Sequence, residues 1–437
     1  MANPVGLSYD QAPVFAVPLG FFLAAPVFLL LAGLLMSVAP AAWLPSRWMP
    51  ASLALTHLIT LGFLGMVMLG ALFQMLPVLL NSPVPAANTV AQLGVASLSL
   101  GTVLLAWGLW QQTAWALSLG AAVLGLGLLP ALFVLGIGAW RARSEPWLNW
   151  PIRLAWGALC ITLVLGVLLA GQLAGVWPAL DAFTLTRIHA TWGLGGWITL
   201  LVVSVSFQLV PMLMLTRPYP VWARRGLVWA LLAGLLGLSV QSLSTDAGFW
   251  MFVPSLAAAL VFALQTLWLQ ATRRRKISDA TLRFWQFGLI MLTLSLLTLP
   301  ALPWLPEAFE VAWGIAFLLG FAVSVVNGML YKIVPFLAWF HLQANTPRGA
   351  RHVPNMKELL PEDLARQHGL LHVVAVGLLL MAGLAQAVVG ELTPASASAQ
   401  VLTDFTARLG GLFLAASAWL LARNLWRVWR MYRKHLS

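Results

Sequence analysis

Twelve long apolar segments dominate this chain and decide what it can fold into. Each is close to the roughly 20 residues that an α-helix needs to cross a hydrocarbon core. Inside lipid every backbone N–H and C=O must be satisfied within the spanning structure, so these segments have to be helices. The segments that we predict as spans are 14–38, 51–80, 90–110, 114–140, 151–175, 187–213, 226–243, 249–272, 280–301, 310–338, 368–389 and 402–425.

The low content of charged residues also indicates a membrane protein. Charged residues make up only 8% of the chain, whereas soluble domains carry about 25%, so a soluble fold with a polar shell is excluded. The sequence therefore predicts an all-α polytopic membrane protein of about 12 transmembrane helices. We expect these helices to form a single membrane domain over 1–437.

Lysine and arginine are distributed unequally between the two sides of this predicted membrane domain. Of the 24 cationic residues, only Arg47, Arg187 and Arg408 fall on one side, and the other 21 fall on the side that holds both termini. By the positive-inside rule the cation-rich side is cytoplasmic. We therefore expect the N- and C-termini and a polar loop over 340–367 in the cytoplasm, with the chain in the inner membrane of a bacterium.

The net charge of +12 has a membrane explanation. Basic stretches such as 273–276 and 423–434 lie at the ends of predicted spans, where they set topology and face anionic lipid. Membrane lipids are thus expected partners, and nucleic acid is not. The one cysteine, Cys160, excludes disulfides, C-x-x-C redox chemistry and covalent attachment of c-type heme. Segment 14–38 follows no basic region and is too long for a signal-peptide core, so we expect a retained first span.

Three of the predicted spans share a sequence pattern. They read GFLGMVMLGALFQMLP over 62–77, GWITLLVVSVSFQLVP over 196–211 and GFAVSVVNGMLYKIVP over 320–335. Each has glycine and an aromatic residue first, a small residue eight positions after the glycine, then an aromatic, a long polar residue and proline in matching places. We interpret this as a threefold internal repeat of four spans each, over about 14–140, 151–272 and 280–425, forming three pseudo-symmetric arcs. The alternative is that membrane helices are simply rich in these residues.

Two histidines lie near the outer ends of the first two patterned spans. His57 stands in LTHLITLGF and His189 in RIHATWGLGGW. Ionisable groups inside a membrane are costly and usually functional, and neutral imidazole binds iron and copper. We predict a metal or heme role for at least one of them, with packing or interhelical hydrogen bonds as the alternative. Arg187 would then pair with a heme propionate, or serve only as an interfacial anchor.

The third patterned span has no histidine at the matching positions. Ile315 corresponds to His57, and Trp313 corresponds to His189. Glu310, three residues before Trp313, is a candidate replacement metal ligand, or else a solvated carboxylate.

Four more histidines, His341, His352, His368 and His372, lie around the predicted cytoplasmic loop. The last two are four residues apart, so they share one helix face, and such pairs bind zinc or copper. Because they border a polar loop, we expect solvated or interfacial side chains, with a metal site as the alternative. Within the loop, MKELLPEDLARQ over 356–367 predicts a short amphipathic helix on the membrane surface.

Long polar side chains in the patterned spans suggest a polar path from the cytoplasm. Its candidate residues are Gln74, Gln208, Asn327, Tyr331 and Lys332. The lysine has the alternative of snorkelling to the inner interface. Phosphate-binding loops, serine triads and zinc-protease helices are missing from the sequence, so hydrolysis has no support. No catalytic residue is assigned.

The twelve-span plan in three arcs, with HLITLGFLGMVMLGALFQMLP on the second span, resembles subunit I of the heme-copper oxidases. The resemblance is closest to the C-type oxidases and to the smaller NnrS-like heme and copper membrane proteins associated with nitric-oxide stress. It implies heme b and/or copper as cofactors. It also implies that His57 is an axial ligand of a low-spin heme and, less closely, that His189 binds copper.

The chain departs from this family at several positions. The region that should carry the histidine pair of the seventh oxidase helix reads LSVQSLSTDAG, and the tenth span has no H-x-H. After the sixth span, MLMLTRPYP replaces the GHTGR-type stretch expected of NnrS. Full oxygen or nitric-oxide reduction at a heme–copper pair is therefore not expected.

The leading hypothesis is an integral membrane protein that binds heme or copper near its outer face. It would act in nitric-oxide or redox stress, or in respiratory cofactor handling, alongside respiratory-chain or denitrification proteins. A competing hypothesis is a cofactor-free transporter or permease, favoured by the intramembrane glycines, prolines and polar residues. A third is a structural subunit of a respiratory complex.

Overall fold

The computed structural model describes residues 9–178, 180–243, 249–274, 277–345, 353–392 and 397–436. Helices and their connections account for this part of the chain, which contains no strand. Within these described ranges, twelve helices are long and apolar enough to cross a membrane. In chain order, spans 1 to 12 are Ala16–Val38, Pro50–Leu80, Ala87–Gln111, Ala114–Arg141, Pro146–Leu173, Ala182–Met214, Val221–Leu243, Trp250–Ala271, Ala280–Trp304, Glu307–Ala344, Glu362–Val389 and Ala397–Leu436. The predicted class, an all-α polytopic membrane protein with twelve spans, is confirmed.

The last helix is much longer than its apolar segment. Span 12 has 40 residues and continues through the basic C-terminal stretch. Its inner face stays apolar to the end, because Val428 and Tyr432 are buried. The Tyr432 ring packs edge-on against Phe15, with ring centroids 4.9 Å apart. Sequence hydropathy misses this extension because the outer face of the same turns carries arginine and lysine.

The predicted surface helix over 356–367 is wrong as a single element. A one-turn helix covers Met356–Leu359, and span 11 begins separately at Glu362. The short helix is closed by a capping box between Asn355 and Glu358. Pro361 separates the two helices, because it disfavours helical geometry at the residue before it and lacks a backbone N–H. Span 11 therefore starts six residues earlier than the sequence predicts, and the connection after span 10 is shorter than 340–367.

The chain divides into two compact units. Unit 1 contains 1–13, 69–108 and 112–276, and unit 2 contains 14–68, 109–111 and 277–437. Spans 4 to 8 thus belong to unit 1, whereas spans 1 and 9 to 12 belong to unit 2. Span 2 contributes its first part to unit 2 and its second part to unit 1.

The three patterned spans share a backbone feature that sequence alone does not reveal. Each contains a π-helical segment, at Leu58–Gly65, Thr191–Thr199 and Ile315–Val323. All three segments end three residues after the first glycine of the pattern. π-helical turns are rare and frequently lie at functional sites. The threefold repeat stays a prediction, now supported by a second feature at matching positions.

The same three spans are also the most buried. The buried share of the apolar window is 94% for span 2, 72% for span 6 and 67% for span 10, against at most 56% for any other span. Residues that carry chemistry on these spans are therefore held within protein. Side chains on the other spans face outward more often.

Candidate functional site

A buried polar cluster lies between spans 10 and 11 of unit 2. Span 10 places Ser324, Asn327 and Tyr331 on one face, since they are separated by three and four residues. Span 11 places His368 and His372 on one face in the same way. Both histidines and the serine and asparagine are fully buried, and Tyr331 is 7% exposed. A polar face therefore meets a polar face inside an otherwise apolar unit.

The His372 imidazole is held at one ring nitrogen. Its Nε2 lies 2.8 Å from Oγ of Ser324 and 3.2 Å from the carbonyl oxygen of Leu319. Because a carbonyl only accepts, this pair of contacts is best satisfied when Nε2 carries the proton and donates. The lone pair of the neutral ring then lies on Nδ1.

A hydrogen-bonded chain ends at His368. The Asn424 amide of span 12 donates to the Tyr331 hydroxyl at 3.0 Å and to the carbonyl oxygen of Leu364 at 3.3 Å. The Tyr331 hydroxyl lies 3.0 Å from Nδ1 of His368. Having accepted from Asn424, the hydroxyl has its own proton to donate, and Nδ1 of His368 is the acceptor beside it. His368 then carries its ring proton on Nε2.

Four polar atoms of this cluster are buried without a hydrogen-bond partner among the described residues. They are Oδ1 and Nδ2 of Asn327, Nε2 of His368 and Nδ1 of His372. Each such atom costs about 1–3 kcal/mol if nothing satisfies it. The set contains both donors and acceptors, so a small guest that both donates and accepts, such as water, would complete it.

Phe284 of span 9 closes one side of the cluster. The centroid of its ring lies 5.2 Å from that of His368 and 5.8 Å from that of His372. The two imidazole centroids are 6.1 Å apart. The aromatic wall lowers the local dielectric, which strengthens every hydrogen bond in the cluster.

Charged residues lie next to the cluster at one end. Lys332, adjacent to Tyr331 in the chain, forms an ion pair with Asp279 at 2.8 Å. Asp279 also accepts from the backbone N–H of Leu282 at 2.9 Å, and Glu362 accepts from the backbone N–H of Ala280 at 2.5 Å. The helix starts of spans 9 and 11 and the Lys332 side chain thus meet at one polar end of unit 2. Lys332 is therefore paired, which neither of its two sequence interpretations anticipated.

The expectation that His368 and His372 are solvated is wrong. Span 11 begins at Glu362, so His368 lies about 9 Å into the helix at 1.5 Å per residue, and both rings are fully buried. His341 stays outside the cluster, with Nδ1 2.9 Å from the carbonyl oxygen of Leu337 and its ring stacked on Phe15. His352 lies outside the described residues.

The two outer histidines belong to different units. His57, in unit 2, has Nδ1 2.7 Å from the carbonyl oxygen of Leu53, and His189, in unit 1, has Nδ1 3.0 Å from that of Thr162. The carbonyl contact places the ring proton on Nδ1 in both, which leaves Nε2 as the basic nitrogen that metals bind. Both imidazoles therefore have the tautomer that a heme or copper ligand needs.

The space for a flat ring beside His57 is a separate question. Gly62, about one turn further along span 2, lacks a side chain and would let a flat ring or a neighbouring helix approach. A side chain at Gly62 would meet the ring of Phe28 from span 1. Helix packing accounts for this glycine, so a heme on His57 would have to lie on another side of span 2.

The other predicted site residues have ordinary structural partners. Arg187 packs its guanidinium over the Phe183 ring at 5.5 Å. Glu310 forms an ion pair with Arg47 at 2.6 Å, which competes with any role as a metal ligand. Asp181 caps the start of span 6, and hydrogen bonds from the side chain and backbone N–H of Thr184 lower the pKa of its carboxyl group.

The predicted polar path is represented in both units. Gln74 is buried, and its Oε1 has no hydrogen-bond partner among the residues described, whereas Gln208 is half-buried; both lie in unit 1. In unit 2, Asn327 and Tyr331 lie in the buried cluster. Lys332 forms its ion pair next to that cluster. The described residues contain no group of three or more histidine, cysteine, aspartate or glutamate side chains arranged to hold a metal ion.

Sequence reasoning missed Ser324 and Asn424. Ser324 precedes Asn327 by three residues, so the helical spacing of the polar face was a usable signal. Asn424 lies in the basic stretch RNLWRVWR, which suggests surface. A comparison of the sequence with models of known protein families finds no match, and a search of curated proteins finds no relative.

Proposed function

We propose that this integral membrane protein moves protons across the membrane through unit 2, by way of the buried cluster and the polar end formed by spans 9 and 11. One observation carries the proposal: His368 and His372 are fully buried among apolar helices, and each has one ring nitrogen without a partner among the described residues. Intramembrane ionisable groups are costly, and they usually mark proton or ion pathways. Of the hypotheses set out from sequence, transport is thus the one that the geometry supports best.

The two imidazoles have complementary roles in such a transfer. Nδ1 of His372 accepts a proton, and the resulting imidazolium keeps its Nε2–H directed at Ser324 and Leu319. Nε2 of His368 donates a proton, the Tyr331 hydroxyl replaces it at Nδ1, and the tyrosine oxygen takes up a proton from the polar end of unit 2, so that no tyrosinate is left. An imidazole ring can take up a proton at one nitrogen and release one from the other, so it can serve as a proton shuttle. A guest water between the unpartnered nitrogens would connect the two steps.

Access runs along the face of span 10. Tyr331 is followed by Lys332, whose ammonium group contacts Asp279. By the positive-inside rule this end of unit 2 faces the cytoplasm. Protons would enter between the ion pair and Tyr331, since Lys332 and Tyr331 are neighbours on span 10.

Proton flux into liposomes tests this proposal. The purified full-length protein is reconstituted with a pH-sensitive dye inside, and a potassium diffusion potential drives the flux. We expect flux above that of empty liposomes, and a fall of about a hundredfold in His372→Ala, the size of effect typical of a lost proton-transfer group. His435→Ala, at the exposed last turn of span 12, is the matched control and should retain the flux. Equal flux in both variants, or none in the unaltered protein, would refute the proposal.

A heme b or copper ligand at His57 is the second candidate function, acting in redox or nitric-oxide stress or in respiratory cofactor handling. Two observations favour it: the tautomer fixed by Leu53 and the π-helical segment that begins at the next residue. Heme would add electron transfer or gas binding at the outer end of unit 2. Purified protein supplied with heme should show a Soret band that is lost in His57→Ala and kept in His341→Ala. The absence of this band from a purified, heme-supplied sample would exclude heme as the ligand of His57.

A further inference from the structure

One end of unit 1 carries a belt of exposed tryptophans. Trp140 ends span 4, Trp150 begins span 5, and Trp222 and Trp229 begin span 7, and all four are exposed. Trp150 links them, with ring centroids 6.1 Å from Trp140 and 6.3 Å from Trp229. Exposed tryptophan concentrates at the depth of lipid headgroups. This end of unit 1 is therefore level with a membrane interface, on the side predicted to be cytoplasmic.

A cavity of about 370 Å³ opens within this belt. Its walls are Glu145 and Trp147 at the start of span 5, and Val221, Arg224 and Arg225 at the start of span 7. The two guanidinium groups outweigh the single carboxylate. The cavity is thus cationic, partly aromatic and bordered by apolar helix surface.

Arg224 has a donor that no described residue satisfies. Its guanidinium lies over the Trp147 ring, 4.7 Å from the centroid, which fixes its plane. Its Nε is buried without a hydrogen-bond partner among the described residues. A fixed guanidinium with an open N–H suits a planar pair of anionic oxygens, as in phosphate recognition. Arg225 is exposed beside it and adds a second charge.

We propose that this cavity binds the phosphate of an anionic phospholipid headgroup. The phosphate would accept from Arg224 and Arg225, and the acyl chains would lie along the apolar surfaces of spans 5 and 7. Basic pockets between helix ends on the cytoplasmic side are suited to acidic lipids. Free phosphate offers the same oxygens, but it makes no use of the exposed tryptophans and apolar surface around the cavity.

Native mass spectrometry of the delipidated full-length protein tests this inference, with phosphatidylglycerol, phosphatidylcholine and inorganic phosphate as three separate probes. We expect one tight phosphatidylglycerol adduct, and at least tenfold weaker binding of the other two probes. The double variant Arg224→Gln/Arg225→Gln should weaken that adduct roughly twentyfold, since each basic side chain near a membrane surface contributes about a factor of five. The matched control is Arg427→Gln/Arg430→Gln on span 12, which removes the same charge elsewhere and should keep the adduct.

Three results would overturn the inference. One is equal weakening by both double variants, which would indicate general electrostatic attraction. Another is phosphatidylcholine binding as tightly as phosphatidylglycerol. The third is inorganic phosphate binding as tightly as the lipid, which would make the cavity a site for a soluble anion. The comparison of the three probes needs only the unaltered protein, so it decides the matter even if a variant does not fold.

Discussion

Asn327 and Asn424 are two buried amides of the same unit with opposite hydrogen-bonding states. Asn424 donates to both Tyr331 and Leu364, whereas both polar atoms of the Asn327 side chain lack a partner in the part of the chain that the structure describes. A satisfied buried amide stabilises a fold, and an unsatisfied one costs free energy. Asn424 therefore contributes to stability, whereas Asn327 lowers stability and needs a functional explanation.

Replacing each asparagine by leucine should therefore have opposite effects on stability. Asn327→Leu removes two unsatisfied atoms at similar volume and should raise the free energy of unfolding by about 1 kcal/mol or more. It should also abolish proton flux, because a water that enters the cluster only during transfer would lose its amide partner. Asn424→Leu leaves the Tyr331 hydroxyl and the Leu364 carbonyl without their donor and should destabilise by about 1–3 kcal/mol. Unfolding of the detergent-solubilised protein measures both changes; destabilisation by Asn327→Leu would show that the amide is satisfied after all.

Tyr331→Phe tests the hydrogen-bonded chain at its centre. Loss of the hydroxyl leaves Nδ1 of His368 and one Asn424 N–H unpaired, so we expect destabilisation of about 1–3 kcal/mol. Tyr432→Phe is the control, since its ring packs against Phe15 and Trp429 and its hydroxyl takes no part in the cluster. In thermal unfolding, Tyr331→Phe should therefore have a clearly lower melting temperature than Tyr432→Phe. Equal stability would mean that the chain is not formed.

At this scale sequence recognised the residue types but not their grouping. Asn327, Tyr331 and the pair His368 and His372 were each candidates, yet the histidines were assigned to the surface. The error has a physical origin, because the charged first turn of span 11 has the low hydropathy that is typical of a loop. The predicted helix therefore began too late in the sequence. No sequence signal places Asn424 against Tyr331, because that contact joins residues 93 positions apart.

At the scale of elements, close helix packing depends on glycine at defined positions. A Cβ at Gly33 of span 1 would lie 2.6 Å from the backbone nitrogen of Ala415 and 2.7 Å from the carbonyl oxygen of Gly411, both on span 12. Backbone atoms cannot move aside as a side chain can. Small residues allow such approach between membrane helices.

Gly33→Ala should therefore separate spans 1 and 12 and destabilise the protein by about 1–3 kcal/mol. Gly314→Ala is the matched control on span 10 of the same unit, where an added Cβ would meet nothing within 4 Å. There the change should be neutral or stabilising by up to about 1 kcal/mol, since alanine is the better helix former. Unfolding of both variants in detergent gives the comparison. Similar effects at the two positions would contradict the packing described for spans 1 and 12.

The positions of the spans were predictable and their internal geometry was not. All twelve apolar segments are helices because hydropathy and length together leave no other structure in lipid. The π-helical conformation, in contrast, is not predictable from residue preferences. We identify none for it in segments such as LITLGFLG and IAFLLGFAV. Their common position relative to the glycine pattern became visible only in the backbone.

At the scale of the whole molecule, orientation stays a prediction from charge. It places the connection at Asn355 in the cytoplasm and the connection at Trp304 outside. Single cysteines at these two positions, in a Cys160→Ser background, should react oppositely with a membrane-impermeant maleimide added to intact cells: Trp304→Cys labelled, Asn355→Cys unlabelled until the cells are opened. The reverse pattern would invert the topology. Ser437, a further probe for the C-terminus, lies outside the described residues.

The depth of the cluster has an electrical consequence. Ser324 lies close to the middle of span 10, which runs from Glu307 to Ala344, and His372 is hydrogen-bonded to it. A proton that reaches His372 from either side therefore crosses roughly half of the transmembrane voltage, which is worth about 1 kcal/mol at 100 mV. Such an energy changes occupancy about fivefold. The protonation state of His372 would thus depend on the membrane potential at constant pH. The buried hydrogen-bonded pair of Ser324 and His372 would then act as a voltage sensor.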